Sequence, residues 1–414
     1  MKKWLALLLA LCLGLSLMAC GKEEAPPASS DTAPTQPTQT EAVHINVAIS
    51  MPNDTNAYWL QSARMIKEQL EAQDQTVAVL FAENSVENQQ RHIREMLLNQ
   101  VDCMVVAAID SFALTEELAD AKAAGIPVIA FDRLIMGSDA VSGLVAYDYE
   151  AMGADMAQQV VLERKLNDPE AENRPYTIEF FMDTPENYSS MLLHKGAMGV
   201  LRPYLDSGAL VCCSGRLEFE DACVPEDNYD TAWAACVTRL HAEYTERYLD
   251  ICFAGSDLIA DACRGALTVN GHVAGKHLTV AGQGGGLTAS KAIANGKQAV
   301  TIYKDVEALA AACAEMAVTL ISGQIPEGNT SQDNYAVSVP AVFLPYTVIN
   351  RENYTQELVD TGIYTDTDLP PQPTEAESEP TEATQPSSEE TQPSGETGEA
   401  TQPSESTGPT QAAT

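Results

Sequence analysis

Along the middle of the chain, short strand-like apolar runs alternate with longer stretches in which apolar residues have helical spacing. Residues 45–49 form a short apolar run, and between 56 and 72 the apolar positions recur every three or four residues, as on one face of a helix. The same alternation continues to 166, and it restarts at 177 and runs to 303. Strand–helix alternation predicts parallel sheets covered by helices on both faces. Two such runs predict an α/β protein with two doubly wound lobes.

The two ends of the chain differ from this middle part in composition. Residues 20–42 and 366–414 are rich in Pro, Thr, Ser, Gln and Glu and contain few large apolar side chains. Such segments bury too little apolar surface to offset the entropy cost of ordering. We therefore predict a disordered linker at 20–42 and a disordered acidic tail at 366–414. Between them we assign an N-terminal lobe to 43–150 with a returning segment at 306–340, a C-terminal lobe to 151–305, and a part near the hinge to 341–365.

The first twenty residues predict export. Lys2 and Lys3 precede an apolar run at 4–17, which suits a signal peptide and is short for a transmembrane helix of about 20 residues. The run ends in Leu17-Met18-Ala19-Cys20, which resembles a bacterial lipobox. That resemblance implies a signal peptide at 1–19 and a lipid on Cys20 that anchors the protein outside the cytoplasm, at the membrane surface or in the periplasm. The alternative is an ordinary signal peptide followed by an incidental cysteine.

The charge of the chain narrows the choice of partners. The formal net charge is −36, and residues 43–365 hold 44 acidic against 20 basic residues. An acidic surface disfavours binding to nucleic acid or to anionic lipid. The simplest meaning of this charge is a well-solvated surface.

The cysteines show no metal-binding motif. Eight cysteines follow Cys20, without a C-x-x-C pair or a neighbouring His cluster, which disfavours zinc. Cys103, Cys252, Cys263 and Cys313 lie in apolar runs, where a free cysteine behaves as a small buried hydrophobe. The sequence does not decide whether two of Cys212, Cys213 and Cys223 form a disulfide, because exported proteins often contain disulfides.

No catalytic or nucleotide motif is present either. The glycines at 282–286 do not fit G-x-G-x-x-G, because position 287 is Leu. The chain also lacks a nucleophile elbow. We expect no cofactor, no metal and no enzymatic activity.

Polar and aromatic residues follow the predicted strands, at the sheet edge where open α/β sheets bind ligands. The candidates in the first lobe are Asn53, Tyr58, Trp59, Asp110, Asp132 and Arg133, and those in the second are Asn187, Asn228, Asp257, Gln283 and Lys304. Carboxylates, amides and Arg hydrogen-bond vicinal hydroxyls, and an aromatic face packs on the C–H patch of a sugar ring. The mixture therefore predicts a sugar site. The alternatives are that Asp110 and Asp257 only cap helices, that Trp59 is plain core, and that Arg133 pairs structurally with Asp132 or Asp110.

Several segments in order resemble the type I periplasmic sugar-binding proteins, in the branch of the xylose-binding and multiple-sugar-binding receptors. They include Val47-Ala48-Ile49-Ser50-Met51-Pro52, the stretch at 128–135 with Asp132-Arg133, Val280-Ala281-Gly282-Gln283, and Tyr303-Lys304-Asp305. The resemblance implies two Rossmann-like lobes joined by three hinge crossings, closure on the ligand, and delivery to an ABC-type permease or a chemoreceptor. It also implies that the third crossing returns the chain to the first lobe, so that the helix at 306–321 packs there.

The resemblance carries over to individual site residues. Trp59, the pair Asp132-Arg133, Asn187, Asp257, Gln283 and Lys304 match positions that the family uses around its sugar, with the arginine binding hydroxyls. Tyr58 stands where this branch commonly has Arg, and Gly284 where it commonly has Asp. The family also has an Asp at the start of the long helix of the second lobe. In this sequence Asp227, Asn228 and Asp230 compete for that position. These departures suggest a less polar or differently configured sugar.

Together these observations predict a monomeric, lipid-anchored substrate-binding protein of an ABC-type importer for a monosaccharide, xylose or another aldose. Two other functions stay open. The same fold would serve a sensor that presents a small molecule to a chemoreceptor or kinase. A secreted sugar-acting enzyme would instead need two carboxylates at a defined separation.

Overall fold

The computed structural model describes residues 46–168, 175–272, 275 and 278–369. The predicted signal peptide, Cys20, the linker at 20–42 and the tail from 370 onward lie outside the described residues. Within these ranges, no helix is both long enough and apolar enough to cross a membrane.

The described chain alternates strands and helices through most of its length. The first part contains β1 (Val47–Met51), α1 (Ala57–Glu71), β2 (Val77–Phe81), α2 (Val86–Leu98), β3 (Cys103–Val106), α3 (Thr115–Ala123), β4 (Val128–Phe131) and β5 (Val141–Ala146). The second part contains α4 (Tyr149–Glu163), β6 (Tyr176–Phe181), α5 (Tyr188–Asp206), β7 (Leu210–Val211), α6 (Phe219–Ala222), α7 (Tyr229–Glu243), β8 (Ile251–Ala254), α8 (Asp257–Val269), β9 (Thr279–Ala281), α9 (Leu287–Ala294) and β10 (Val300–Lys304). The last part contains α10 (Val306–Ile321), β11 (Thr330–Asp333), β12 (Ser338–Phe343), β13 (Tyr346–Asn350) and a π-helical turn at Thr355–Val359.

These strands form two sheets, as the alternation predicts. A seven-stranded sheet has the order β11-β12-β5-β4-β3-β1-β2, and a six-stranded sheet has the order β13-β10-β9-β8-β6-β7. The pairings are parallel except at one edge of each sheet, where β11 runs antiparallel to β12 and β13 runs antiparallel to β10. The central strands β1, β3, β4 and β8 are buried along their whole length, because helices cover both faces of each sheet. The prediction of two doubly wound lobes is confirmed, and the antiparallel edges are an addition to it.

The chain passes between the two sheets three times, between β5 and α4, between β10 and α10, and between β12 and β13. Helix α10 packs on α1 and on β3, β4 and β5, so it lies with the first sheet. The expectation about its crossing was wrong in one respect. The second crossing returns the chain to the first sheet, and the third carries it back to the second sheet through β13.

Helices α4 and α5 approach closely because glycines replace side chains at their contact. A Cβ on Gly153 would lie 1.9 Å from the carbonyl oxygen of Leu193, and a Cβ on Gly196 would lie 1.8 Å from that of Glu150. This close packing fixes the start of α4 beside the start of α5. Both helix starts contribute side chains to the site described below.

After β13 the chain remains packed on the second sheet. Tyr354, Leu358 and Leu369 are fully buried with Ile349 and with Ile293 of α9. We call residues 353–369 the C-terminal segment. The first four residues of the predicted tail, 366–369, thus belong to the described structure.

The eight cysteines that follow Cys20 are all free thiols. The disulfide left open among Cys212, Cys213 and Cys223 is therefore not formed in this structure. Cys103, Cys252, Cys263 and Cys313 are buried, as their apolar runs predict.

Candidate functional site

A cleft of about 980 Å³ opens between the two sheets, at the loops that follow their strands. Loops after β1, β4, β6, β8, β9 and β10 contribute to its walls, because parallel strands place their carboxyl ends at one edge of the sheet. Among the predicted site residues, those that line this cleft are Tyr58, Trp59, Asp132, Arg133, Asn187, Asp257, Gln283 and Lys304.

Asp132 and Arg133 turn the chain sharply at the end of β4. Asp132 has a left-handed backbone with φ of 61°, which Asp tolerates better than most residues. Its carboxylate accepts a hydrogen bond from the Tyr149 hydroxyl at 2.7 Å. Asp132 and Arg133 are 3% and 8% exposed, so their interactions are poorly screened by water.

The Arg133 guanidinium joins the two sheets across the cleft. It donates to the Ala108 carbonyl oxygen at 3.2 Å on its own side and to Asp183 Oδ2 at 3.4 Å on the other. Asp227 Oδ2 lies 3.7 Å from the same nitrogen, Nη2. The guanidinium carbon also lies 5.0 Å from the centroid of the Trp59 ring, in a cation–π contact. The partners of Arg133 are therefore carboxylates of the opposite lobe, and neither Asp132 nor Asp110 takes that role.

Asp183 and Asp227 share this one arginine. Asp183 also accepts from the Asn187 amide at 2.5 Å and from the Thr184 backbone N–H at 2.7 Å. The nearby charge of Asp183, followed by burial, raises the pKa of Asp227 to about 7, and Arg133 opposes the shift. A single cation therefore does not fully compensate the two carboxylates, of which Asp183 is buried and Asp227 partly buried.

This shared arginine predicts a pH dependence of stability. A carboxyl whose pKa rises on folding favours the folded state at low pH, and that contribution is lost as pH rises from about 4 through about 7. Asp227→Asn should remove this loss, so its free energy of unfolding should fall less than that of the wild type between pH 4 and pH 7.5. Urea unfolding at several pH values measures the difference. Asp120→Asn, an exposed substitution on α3, is the control and should follow the wild-type curve; a D227N curve parallel to the wild type would contradict the shared-arginine account.

Lys304 lies in a pocket of tyrosines at the end of β10. Its ammonium is 4.3 Å from the centroid of the Tyr58 ring and 5.4 Å from that of Tyr149, and it donates to the Tyr149 hydroxyl at 3.2 Å. Burial lowers the pKa of Lys304, and the charge of Asp132 opposes that shift. Tyr149 thus connects Lys304 to Asp132. The Tyr58 ring therefore packs on the Lys304 cation.

One polar atom of the cleft, Gln283 Oε1, is buried without a hydrogen-bond partner in the described part of the chain. The amide nitrogen of the same side chain donates to the Gly255 carbonyl oxygen at 3.0 Å. Buried polar atoms are normally paired, so this oxygen is a candidate for bonding a ligand. The Tyr58 hydroxyl lies beside Asp132, and burial first, then the charge of Asp132 and a hydrogen bond with it, raise its pKa.

Asp257 holds the glycine loop that follows β9. Its carboxylate accepts from the Gln298 amide at 2.7 Å, the Thr301 hydroxyl at 2.6 Å and the Gly285 backbone N–H at 2.8 Å. Burial raises the pKa of Asp257, and these hydrogen bonds oppose the shift. Ser256 caps α8 through its hydroxyl, so the alternative that Asp257 is the cap is wrong.

Three predicted site residues, Asn53, Asp110 and Asn228, do not line the cleft, and each hydrogen-bonds to nearby backbone. Asn53 accepts from the backbone N–H groups of Thr55 and Asn56, and Asp110 accepts from that of Phe112. Asn228 caps α7 by accepting from the Thr231 N–H. Of the residues competing with Asn228, Asp227 is the one that lines the cleft.

The cleft also contains residues that the sequence reasoning did not select. Asp183 lies two residues after the end of β6 and Tyr149 three residues after the end of β5, so both had the strand-end signal that selected Asn187. Residues 361–364 had no such signal, since no strand ends just before them. Among the described residues, no group of three or more His, Cys, Asp or Glu side chains could hold a metal ion.

The two sheets and the cleft between them form the two-lobed α/β architecture of a binding protein. The family model for the periplasmic binding protein domain matches residues 47–325, and the chain belongs to that family. It is a binding protein and not an enzyme.

Curated relatives and solved structures agree with this assignment. The chain is 31% identical over 322 residues to the multiple sugar-binding periplasmic receptor ChvE of Rhizobium radiobacter, covering 77% of this chain and 90% of the receptor. It is 27% identical over 312 residues to the D-xylose-binding periplasmic protein of Escherichia coli, covering 75% and 88%. An ABC transporter solute-binding protein from Clostridium phytofermentans, solved with β-D-glucose, is similar with a TM-score of 0.72 and 31% identity over 78% of this chain and 99% of that one.

Proposed function

We propose that the chain captures a neutral monosaccharide in the cleft, as the solute-binding protein of an ABC-type importer. The observation that carries the proposal is the grouping of Arg133, Asp132 and Trp59 around one cleft. Arginine and carboxylate can bond adjacent hydroxyls, and an indole face can cover a sugar ring. Gln283 Oε1, which has no hydrogen-bond partner in the described part of the chain, offers one further acceptor.

The charges of the cleft favour a neutral sugar over a sugar acid. The cations Arg133 and Lys304 line it together with the acidic residues Asp132, Asp183, Asp227, Asp257, Asp261, Asp305 and Glu307. Arg133 is already engaged by carboxylates, and Lys304 lies among tyrosines. A ligand carboxylate would therefore meet more negative than positive charge on entering the cleft.

The names of the relatives support an aldose. The compared proteins are described as binding multiple sugars, D-xylose and β-D-glucose. D-xylose and D-glucose are therefore the first ligands to test. All eight cleft residues predicted from the sequence, joined by Tyr149, Asp183 and Asp227, are proposed as the ligand-binding set.

We further propose that the protein works outside the cytoplasm as a monomeric lipoprotein. The relatives named above are described as periplasmic. The leader at 1–19 and Cys20 supply the export and lipidation signals, and the permease would engage the two lobes assigned at 43–150 with 306–340 and at 151–305. Labelling of expressing cells with a fatty acid tests the anchor, because Cys20→Ala should abolish incorporation; labelling that persists in this variant would exclude Cys20 as the lipidated residue.

A thermal-shift screen of the purified protein tests the sugar assignment. Pentoses, hexoses, sugar acids, polyols and nucleosides should be compared at equal concentrations. A ligand that binds only the folded state at 100 times its Kd adds about 2.7 kcal/mol to stability. We expect a rise in Tm with one or a few neutral aldoses and none with the acids. A shift with nucleosides or with sugar acids alone would contradict the proposal.

A further inference from the structure

The C-terminal segment forms part of the cleft wall. Residues 361–364 line the cleft beside the glycine loop at 283–286. They lie beyond the residues matched by the family model, which end at 325. The wall of the cleft is therefore completed by a part of the chain that neither the family match nor the sequence motifs cover.

The segment is anchored on the element that follows the glycine loop. Leu358 and Leu369 are fully buried and cluster with Ile293 of α9 and Ile349 of β13. Helix α9 begins at Leu287, directly after the loop. Packing thus fixes the segment against the structure that carries the loop.

One hydrogen bond connects the segment to the loop itself. The Tyr364 hydroxyl donates to the Gly285 carbonyl oxygen at 3.0 Å, and the Ser290 hydroxyl approaches the same oxygen at 3.3 Å. The backbone N–H of Gly285 donates to Asp257 Oδ2 at 2.8 Å and lies 3.1 Å from the Thr301 hydroxyl oxygen. The Gly285 peptide groups are therefore held from both sides.

Residues 284–286 of the loop are glycines and have no side chains, so backbone contacts must hold the loop in place. Gly284 and Gly285 have φ of 139° and 71°. A Cβ on Gly285 would lie 2.5 Å from the Cα of Tyr303, so a larger residue does not fit. Glycine without external contacts samples many conformations. Burial raises the pKa of Tyr364 to about 12, so its hydroxyl keeps the proton that it donates.

We propose that Tyr364 is a positioning residue for ligand binding: by holding Gly285 it fixes the loop that presents Gln283 to the sugar. Gln283 is the first residue of the loop. Its amide nitrogen donates to the Gly255 carbonyl oxygen, and its Oε1 has no hydrogen-bond partner among the described residues. A loop that moves would carry this acceptor away from the ligand. The role rests on the proposed sugar function of the same cleft.

The test compares Tyr364→Phe with a matched tyrosine variant. Tyr346→Phe is the control, because the Tyr346 hydroxyl also makes one bond, to Asp155 Oδ2 at 2.7 Å, but does not line the cleft. Calorimetric titration with D-xylose and D-glucose gives the affinities, and urea unfolding gives the stabilities. One lost hydrogen bond of this kind costs about 0.5–1.5 kcal/mol, so Tyr364→Phe should weaken sugar binding about 2- to 12-fold while Tyr346→Phe leaves it unchanged.

A double mutant distinguishes positioning from general stability. If Tyr364 acts through Gln283, Tyr364→Phe should have almost no further effect on affinity in a Gln283→Ala background. Full additivity of the two substitutions, or wild-type affinity in Tyr364→Phe, would overturn the proposal.

Hydrogen exchange of the ligand-free protein separates this proposal from the sugar function. Tyr364→Phe should speed exchange at the amides of 284–286, whereas Tyr346→Phe should not. If Tyr364→Phe speeds this exchange but the wild-type protein binds neither D-xylose nor D-glucose, the sugar role is refuted and the loop contact is retained. Unchanged exchange would refute the loop contact, whatever the affinity of the wild type.

Discussion

Arg133→Ala should weaken sugar binding about 30-fold or more. Arg133 is 8% exposed, lines the cleft, and is held by Ala108, Asp183 and the face of Trp59. Truncating one partner of a buried charged hydrogen bond costs about 2–5 kcal/mol, and 2 kcal/mol corresponds to nearly 30-fold. Calorimetric titration with the aldose found in the screen measures the loss. Arg133→Lys should recover only part of the affinity, because an ammonium lacks the planar fork that bonds two oxygens at once.

Arg202→Ala is the matched control for this substitution. Arg202 lies on α5, forms a surface ion pair with Asp206 at 3.7 Å, and does not line the cleft. Its removal should leave the affinity unchanged. Wild-type affinity in a folded Arg133→Ala protein would show that the arginine only joins the lobes and does not bind the ligand.

Trp59→Ala should lower both stability and affinity. The Trp59 side chain is 3% exposed, packs in the first-lobe core with Ala63 and Ile66, and also lines the cleft beside Arg133. Replacing a buried tryptophan by alanine costs about 3–5 kcal/mol of unfolding free energy. The loss of the aromatic face should also weaken sugar binding, and Trp59→Phe should be affected less in both measurements. Urea unfolding and calorimetric titration separate the two effects.

Ile66→Ala decides whether Trp59 is more than core. Ile66 is fully buried on the same helix and does not line the cleft, so its truncation should cost about 2–5 kcal/mol of stability without a change in affinity. If Trp59→Ala and Ile66→Ala retained equal affinity for the sugar, the interpretation of Trp59 as plain core would be correct.

Most of the fold could be predicted from local patterns. The buried strands β1, β3, β4 and β8 are almost continuous apolar runs, and amphipathic helices follow β1 and β8, which leaves few arrangements besides parallel sheets. The edge strand β11, Thr-Ser-Gln-Asp, is polar and largely exposed, so it carries no apolar pattern. β13 was missed for a related reason, since its pairing with β10 is a long-range contact that does not show in local spacing.

The site could be predicted only where strand ends determine it. Asp132 and Arg133 of the first sheet and Asp257 and Lys304 of the second reach the cleft because the carboxyl ends of the parallel strands of each sheet face it. Asn53 also follows a strand, but its side chain bonds the nearby backbone and does not line the cleft. The sequence does not show whether such a side chain bonds the backbone or faces the cleft.

Tyr364 is a cleft residue that could not be predicted from the sequence. Its contact with Gly285 spans 79 positions and depends on how the C-terminal segment packs on α9. No spacing or composition near 364 indicates that contact. The partners of Arg133 were likewise open from the sequence, because the choice of Asp183 and Asp227 depends on how the two lobes meet.

A crystal structure of the protein with the aldose that gives the largest thermal shift tests the central claim most directly. One sugar ring should lie between the two sheets, packed on Trp59, with hydroxyls within hydrogen-bond distance of Asp132 and Arg133 and of Gln283 Oε1. A sugar bound elsewhere, or a cleft that stays free of sugar at a saturating concentration, would contradict it.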